Sequence, residues 1–129
     1  TASQIYEWAR IKGEILTGNE MGSKIIKEQI RGITKAARRG LFVKVNSILI
    51  PSINERDIIE LAKRISKAGA SLQNIIPLVP NDSLVSMKPP LKKELEMLRS
   101  HAAEYIDQFR YCKQCRSDVV GIPGCDVIL

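Results

Sequence analysis

Leu41-Phe-Val-Lys-Val-Asn-Ser-Ile-Leu-Ile50 is a run of mostly branched apolar residues that ends at Pro51, a residue with no N–H to continue a ladder. This composition predicts a strand buried on both faces for most of its length, the usual state of a strand in a parallel sheet. Gly40 stands just before it and suits the left-handed backbone with which helices often stop. Upstream, Lys24, Lys27, Arg31, Lys35 and Arg38 recur at helical spacing, with Ile26, Ile30, Ile33 and Ala37 on the opposite side. A long amphipathic helix is therefore expected, starting after the polar break at Thr17, Gly18 and Asn19.

Downstream of Pro51, Asn54 offers a side-chain cap to a second helix, which carries Ile58, Leu61, Ala62 and Ile65 on one face up to Gly69. A second apolar strand, Leu72 to Val79, follows at once. Helix, strand, helix, strand with short connections is the order that builds a parallel sheet through crossovers, so the fold class is α/β. A loop with Asn81, Asp82, Ser83 and the Pro89-Pro90 pair leads to a last helix, Leu91 to about Ile106, with Leu91, Leu95, Leu98, Ala102 and Tyr105 inward. At the other end, Ala2 to Arg10 reads as a short helix bearing Ile5, Tyr6 and Trp8, followed by a turn around Gly13. Two strands make an incomplete sheet, and open edges predict a dimer formed edge to edge or by exchange of elements.

With 129 residues, 44% hydrophobic and 26% charged, the chain has the composition of one globular core. No apolar run approaches the roughly 20 residues that cross a bilayer, and residues 1–20 lack a signal-peptide layout. No membrane partner and a cytoplasmic setting are expected. The net charge of +6 gathers on the first long helix, where it reads as a solvated face. An aromatic content of 5% argues against nucleic acid, since single strands are usually held by stacking rings.

The strongest chemical signal is Cys112-Lys-Gln-Cys115, because a two-residue spacer lets two thiolates converge on one metal ion or one edge of an iron-sulfur cluster. Arg110, Lys113 and Arg116 favour thiolate over thiol there. A zinc site would need Cys125 and the sole histidine, His101, to complete it, and unligated cysteines are the other reading. Three cysteines do not make a secreted disulfide framework. His101 itself reads as a boundary histidine with no catalytic partner nearby in sequence. Asn46 and Ser47 on the first strand and Asn74 on the second are candidates for small-molecule contacts, since ligands of parallel sheets bind beyond the carboxyl ends of strands. Hydrogen bonds internal to the sheet are the alternative.

Three stretches in order, Lys44-Val-Asn-Ser-Ile-Leu-Ile-Pro51 with Ile53-Asn54, Asn74-Ile-Ile-Pro-Leu-Val-Pro80, and Cys112-Lys-Gln-Cys-Arg-Ser-Asp-Val-Val-Gly121, resemble signatures of the NifB family of radical S-adenosylmethionine enzymes. Ile5-Tyr-Glu-Trp-Ala-Arg10 is similar to a segment that the family carries just after its fourth barrel strand. The first stretch is shared across the superfamily, whereas its combination with the other two is specific. The resemblance implies a partial parallel (βα) TIM-like barrel, with residues 1–108 its C-terminal part and residues 109–129 a cysteine-containing tail. It implies an enzyme in which a reduced four-iron cluster cleaves S-adenosylmethionine, and which builds the carbide-containing iron-sulfur precursor of the nitrogenase cofactor. Iron-sulfur cluster substrates and cofactor-assembly proteins are the implied partners.

Carried over by position, Asn46 and Ser47 line the S-adenosylmethionine site, and the strand end Ile76, Pro77, Leu78 lies by its adenine. Cys112 and Cys115 ligate a substrate cluster. The Cys-x3-Cys-x2-Cys motif of the cleaving cluster is absent, the chain being expected to begin after it, so activity and bound cofactors are expected only in the full-length protein. Ser52 stands where the family usually has glycine, and Cys125 lies beyond its motif. The alternatives are another radical S-adenosylmethionine maturase or activating enzyme with an auxiliary cluster, or a small basic zinc and nucleic-acid module.

Overall fold

A computed structural model describes residues 5–80, 84–111, 119–122 and 125–128. The chain is α/β, and its centre is a parallel pair of strands, β3 (Lys44–Leu49) and β4 (Leu72–Pro77), joined through helix α2 (Glu55–Lys67). Helix α1 (Gly18–Arg38) precedes this unit and helix α3 (Lys92–Ala102) follows it. The hairpin β1 (Trp8–Ile11) and β2 (Glu14–Thr17) lies before α1, and a second antiparallel pair, β5 (Val119–Ile122) and β6 (Cys125–Ile128), lies after α3.

The hairpin corrects the C-terminal part of the helix expected over Ala2 to Arg10: Trp8, Ala9 and Arg10 are strand, whereas Ile5 is helical and residues 2–4 lie outside the described residues. Lys12 and Gly13 both adopt positive φ, 53° and 90°, which makes a two-residue turn whose twist matches that of paired strands. The turn brings Ile11 opposite Glu14 and Trp8 opposite Thr17, and cross-strand pairing then outweighs a helical spacing of only a few apolar residues. The turn at Gly13 is where the sequence placed it.

Helix α1 buries Met21 and packs Ile30 and Ile33 against the core, while Lys27, Arg31, Lys35 and Arg38 lie exposed. Its basic side is the solvated face expected from the spacing. Lys24 meets Glu14 at 2.6 Å and Lys12 meets Glu28 at 3.3 Å, so two ion pairs tie the hairpin to the helix. At the far end α1 comes close to α2: a Cβ on Gly69 would lie 2.7 Å from the Ala37 Cβ, and Gly69 also holds φ at 93°. Glycine meets both the space and the backbone requirement there.

Leu49, Ile58, Ile59, Ala62, Ile65, Ile75, Leu95, Ala102 and Ile106 form the core, between one face of the β3–β4 pair and helices α2 and α3. Full burial of a side chain such as Ile65 or Ile75 contributes about 1.5–3 kcal/mol. Among the described residues, helices cover only this one face. The expectation that the first strand is buried on both sides is therefore corrected: Lys44, Asn46 and Ile48 are exposed, Ile48 by 52%. Leu41 and Phe42 lie outside the strand and are also exposed, as is Leu91, which was expected inside α3.

On the outer edge of β4, the Gln73 N–H donates to the Asp107 carbonyl at 2.8 Å, and the Phe109 N–H donates to the Gln73 carbonyl at 2.8 Å. Gln108 thus bridges Gln73 in parallel, a one-residue extension of the sheet. The outer edge of β3 has no strand partner among the described residues, which is the open edge that the element count implied. No helix among the described residues is long and apolar enough to cross a membrane.

Candidate functional site on the open sheet face

Alternation along the two strands sorts their side chains. Val45, Ser47 and Leu49 share the helix side with Gln73, Ile75 and Pro77, and Lys44, Asn46 and Ile48 share the other side, open over β3, with Leu72, Asn74 and Ile76, of which Leu72 and Asn74 are buried. Register places Asn46 directly beside Asn74 and Ile48 beside Ile76. The Asn74 Nδ2 donates to the Asn46 Oδ1 at 3.3 Å. Asn46 is exposed, whereas Asn74 is 4% exposed and its Oδ1 is buried with no hydrogen-bond partner among the described residues. An acceptor in that state costs about 1–3 kcal/mol, so it calls for a donor from outside the described residues.

Asn46 and Ile76 of the sequence-predicted set therefore come together on one face. Ser47 does not join them: it is buried on the helix side and accepts a hydrogen bond from the Gln73 Nε2 at 3.1 Å. Pro77 is half-buried at the end of β4, and Leu78 is buried, with its N–H donating to the Leu49 carbonyl at 3.1 Å. The two strand ends are thereby locked level with each other.

The turn that leaves β3 is built by two polar side chains. Asn54 does not cap α2 as expected; its Oδ1 accepts from the Ile50 N–H at 2.8 Å, and its Nδ2 donates to the Ile48 carbonyl at 2.8 Å. Ser52 adopts φ 64°, the left-handed conformation that glycine enters most easily, and its N–H donates to the Glu55 carboxylate. Serine at this position thus keeps a glycine-type turn.

Two buried polar groups were not singled out from the sequence. Gln73 is fully buried and continues from Ser47 to Gln108, whose Nε2 donates to the Gln73 Oε1 at 3.0 Å. Arg99, 3% exposed, donates to the Ile75 carbonyl at 2.9 Å and pairs with Glu96 at 2.8 Å. Arg99 sits four residues after Leu95 and three before Ala102, on the apolar stripe of α3, a position that could have marked it.

A shallow pocket of about 260 Å³ opens beyond the end of β3, lined by Leu49, Pro51, Glu55, Glu94, Met97 and His101 among others. His101 is exposed at its rim, as a boundary histidine would be. A second cavity, about 400 Å³, runs along the open edge of β3 between α1 and α2 and reaches Lys44 and Asn46.

Over 119 residues, 92% of its length, the chain is 40% identical to the FeMo cofactor biosynthesis protein NifB of Methanocaldococcus jannaschii. It belongs to the NifB family. FeMo cofactor biosynthesis protein NifB of Klebsiella pneumoniae is 34% identical over 97% of the chain, and that of Bradyrhizobium diazoefficiens 34% over 96%. The chain spans 39% of the first of these NifB proteins, 28% of the second and 26% of the third. No protein-family model matches the chain.

The cysteines that the NifB resemblance marks, Cys112 and Cys115, lie outside the described residues. Among the described residues no group of three or more histidine, cysteine, aspartate or glutamate side chains could hold a metal ion. The site in view is therefore the Asn46–Asn74 face. An unpaired buried acceptor beside an exposed amide suits a small polar ligand with its own donors.

Proposed function

We propose that this chain is the C-terminal part of the radical S-adenosylmethionine domain of a protein that serves FeMo cofactor biosynthesis, as its NifB relatives are named to do. The observation that carries the reading is identity of 40% to a NifB protein across 92% of the chain. The βαβ unit with helices on one face of a parallel pair is the repeating part of a (βα) barrel, and the open face would then turn toward the barrel interior.

On this reading Asn46 and Ile76 contact S-adenosylmethionine from the open face, and Pro77 and Leu78 hold the strand end beside the adenine. Ser47, bonded to Gln73 on the helix side, supports the strand rather than touching the ligand. When bound and met by a reduced four-iron cluster, S-adenosylmethionine supplies radical chemistry. The chain's own part is to bind and orient it, and its Cys112 and Cys115 hold an iron-sulfur cluster that is substrate for carbide-containing precursor assembly.

The test uses the full-length protein that contains this chain, reconstituted anaerobically with iron and sulfide. Binding of S-adenosylmethionine and its cleavage to 5′-deoxyadenosine are the expected results, with release of an iron-sulfur product that activates cofactor-free nitrogenase. Zinc without iron, together with salt-dependent nucleic-acid binding, would overturn the reading.

A further inference from the structure

Asn46 and Asn74 are opposite each other in register, and the bond between them is asymmetric: Asn74 donates and Asn46 accepts. An asparagine amide is planar, with an oxygen that accepts on one side and an NH2 that donates on the other. Once the Asn46 oxygen is turned toward Asn74, the Asn46 NH2 is directed away from it on an exposed side chain. The Asn74 Oδ1, buried and without a partner among the described residues, lies on the other branch of the same amide. The two side chains together offer donors from one strand and an acceptor from the next.

We infer that Asn74 is a positioning residue that fixes the Asn46 amide, and that the pair reads a ligand edge carrying a hydrogen-bond donor beside an acceptor. The inference rests on the S-adenosylmethionine reading above. That molecule has two edges of this kind, the exocyclic amine beside a ring nitrogen of adenine and the α-ammonium beside the α-carboxylate, and asparagine is a known match for the first. A ligand with acceptors alone would leave the Asn74 Oδ1 unpaired, and the pair therefore selects against it.

The experiment is equilibrium dialysis of radiolabelled S-adenosylmethionine against the anaerobically reconstituted full-length protein, with 5′-deoxyadenosine and methionine as separate competitors. Asn74→Asp is close to isosteric but replaces the donor with a second acceptor, so Asn46 must rotate and present its oxygen outward. About tenfold weaker binding is expected. In an Asn46→Ala background the same change is expected to cost no more than about twofold, because the residue through which it acts is gone. Asn46→Asp keeps the acceptor for Asn74 and removes the outward donors; it is expected to weaken binding about as much, and carries the test should Asn74→Asp not fold.

Equal losses from Asn74→Asp in both backgrounds would overturn the positioning role. Parental affinity in both Asn74→Asp and Asn46→Asp would overturn the inference and leave the wider reading standing, whereas a parent protein that binds no S-adenosylmethionine would overturn both. Weakened competition by 5′-deoxyadenosine assigns the purine edge and by methionine the amino-acid end; unchanged competition by both would overturn the recognition of a donor beside an acceptor.

Discussion

The side chain of Asn54 spans the end of β3, donating to the carbonyl of Ile48 at 2.8 Å while accepting from the N–H of Ile50 at the same distance. One amide thus satisfies two backbone groups at the point where the strand turns into α2. Asn54→Ala leaves both without these partners, and a loss of about 1–3 kcal/mol is expected in urea unfolding. Asn54→Asp retains the Ile50 bond and loses only the Ile48 bond, so its midpoint should fall between those of parent and alanine variant. Parental stability of Asn54→Ala would show the clamp to be dispensable.

Ser52 holds φ at 64°, where a side chain crowds the following carbonyl. Ser52→Gly removes that strain and keeps the N–H that donates to Glu55. A net gain of about 0.5–1 kcal/mol, seen as a higher Tm, is expected, part of the relief being offset by glycine's greater freedom in the unfolded chain. A lower Tm would mean that the serine side chain makes a contribution larger than the strain.

Arg99 crosses from α3 to β4 and donates to the Ile75 carbonyl at 2.9 Å while nearly fully buried. Arg99→Met preserves much of the apolar stem but leaves Ile75 without this donor and Glu96 with Arg110 alone of its two arginine partners. A stability loss of about 2–3 kcal/mol is expected by denaturant titration. A loss below about 0.5 kcal/mol would fit a surface pair and contradict the burial.

Glu14 and Lys24 join β2 to α1 at 2.6 Å. The Lys24 hydrogen bond, then its charge, holds the Glu14 carboxyl below its ordinary 4.5, and the Glu14 hydrogen bond raises Lys24 above 10.5. Because the folded value of Glu14 is depressed, its contribution is present above pH 4.5 and is lost as pH falls through the folded value. The Lys24 contribution is present below pH 10.5 and is lost as pH rises through its raised value. Trp8, the sole tryptophan, lies on the same hairpin and reports on its docking by fluorescence. The difference between parent and Glu14→Gln should be flat near neutrality, shrink on acidification below pH 4.5, and weaken with added salt. A difference that grew toward low pH would contradict the pairing.

The βαβ unit was legible because each of its signals had one reading. Ile58, Ala62 and Ile65 recur at helical spacing, the strands are apolar runs, and Gly40 and Gly69 adopt positive φ at helix ends. The hairpin was not legible, since Ile5, Tyr6 and Trp8 suit either a short helix or a strand, and the turn that decides it uses a lysine at positive φ. Burial of both faces of β3 was misread because an apolar strand indicates what could be covered, and the helices among the described residues cover only one side of it. In the site, Asn46 and Asn74 stood out as polar residues in apolar strands, but their facing each other depends on register, which no single strand reveals. Ser47 was grouped with Asn46 by adjacency, yet adjacent strand residues point to opposite faces.

The chain that leads to the cysteine pair is anchored: Gln108 is bonded to Gln73 at 3.0 Å, and Arg110 meets Glu96 at 3.1 Å. Cys112 and Cys115 follow two and five residues after Arg110, with the two-residue spacer that suits one edge of a cluster. If they hold the substrate cluster rather than the cleaving one, the two halves of the reaction should separate in variants of the full-length protein. Cys112→Ala and Cys115→Ala are each expected to abolish formation of the iron-sulfur product while S-adenosylmethionine cleavage, read as 5′-deoxyadenosine, stays partly intact. Iron bound after anaerobic reconstitution should fall in both. Equal loss of product and cleavage would sink the assignment, because ligands of a substrate cluster have no direct part in the cleavage step.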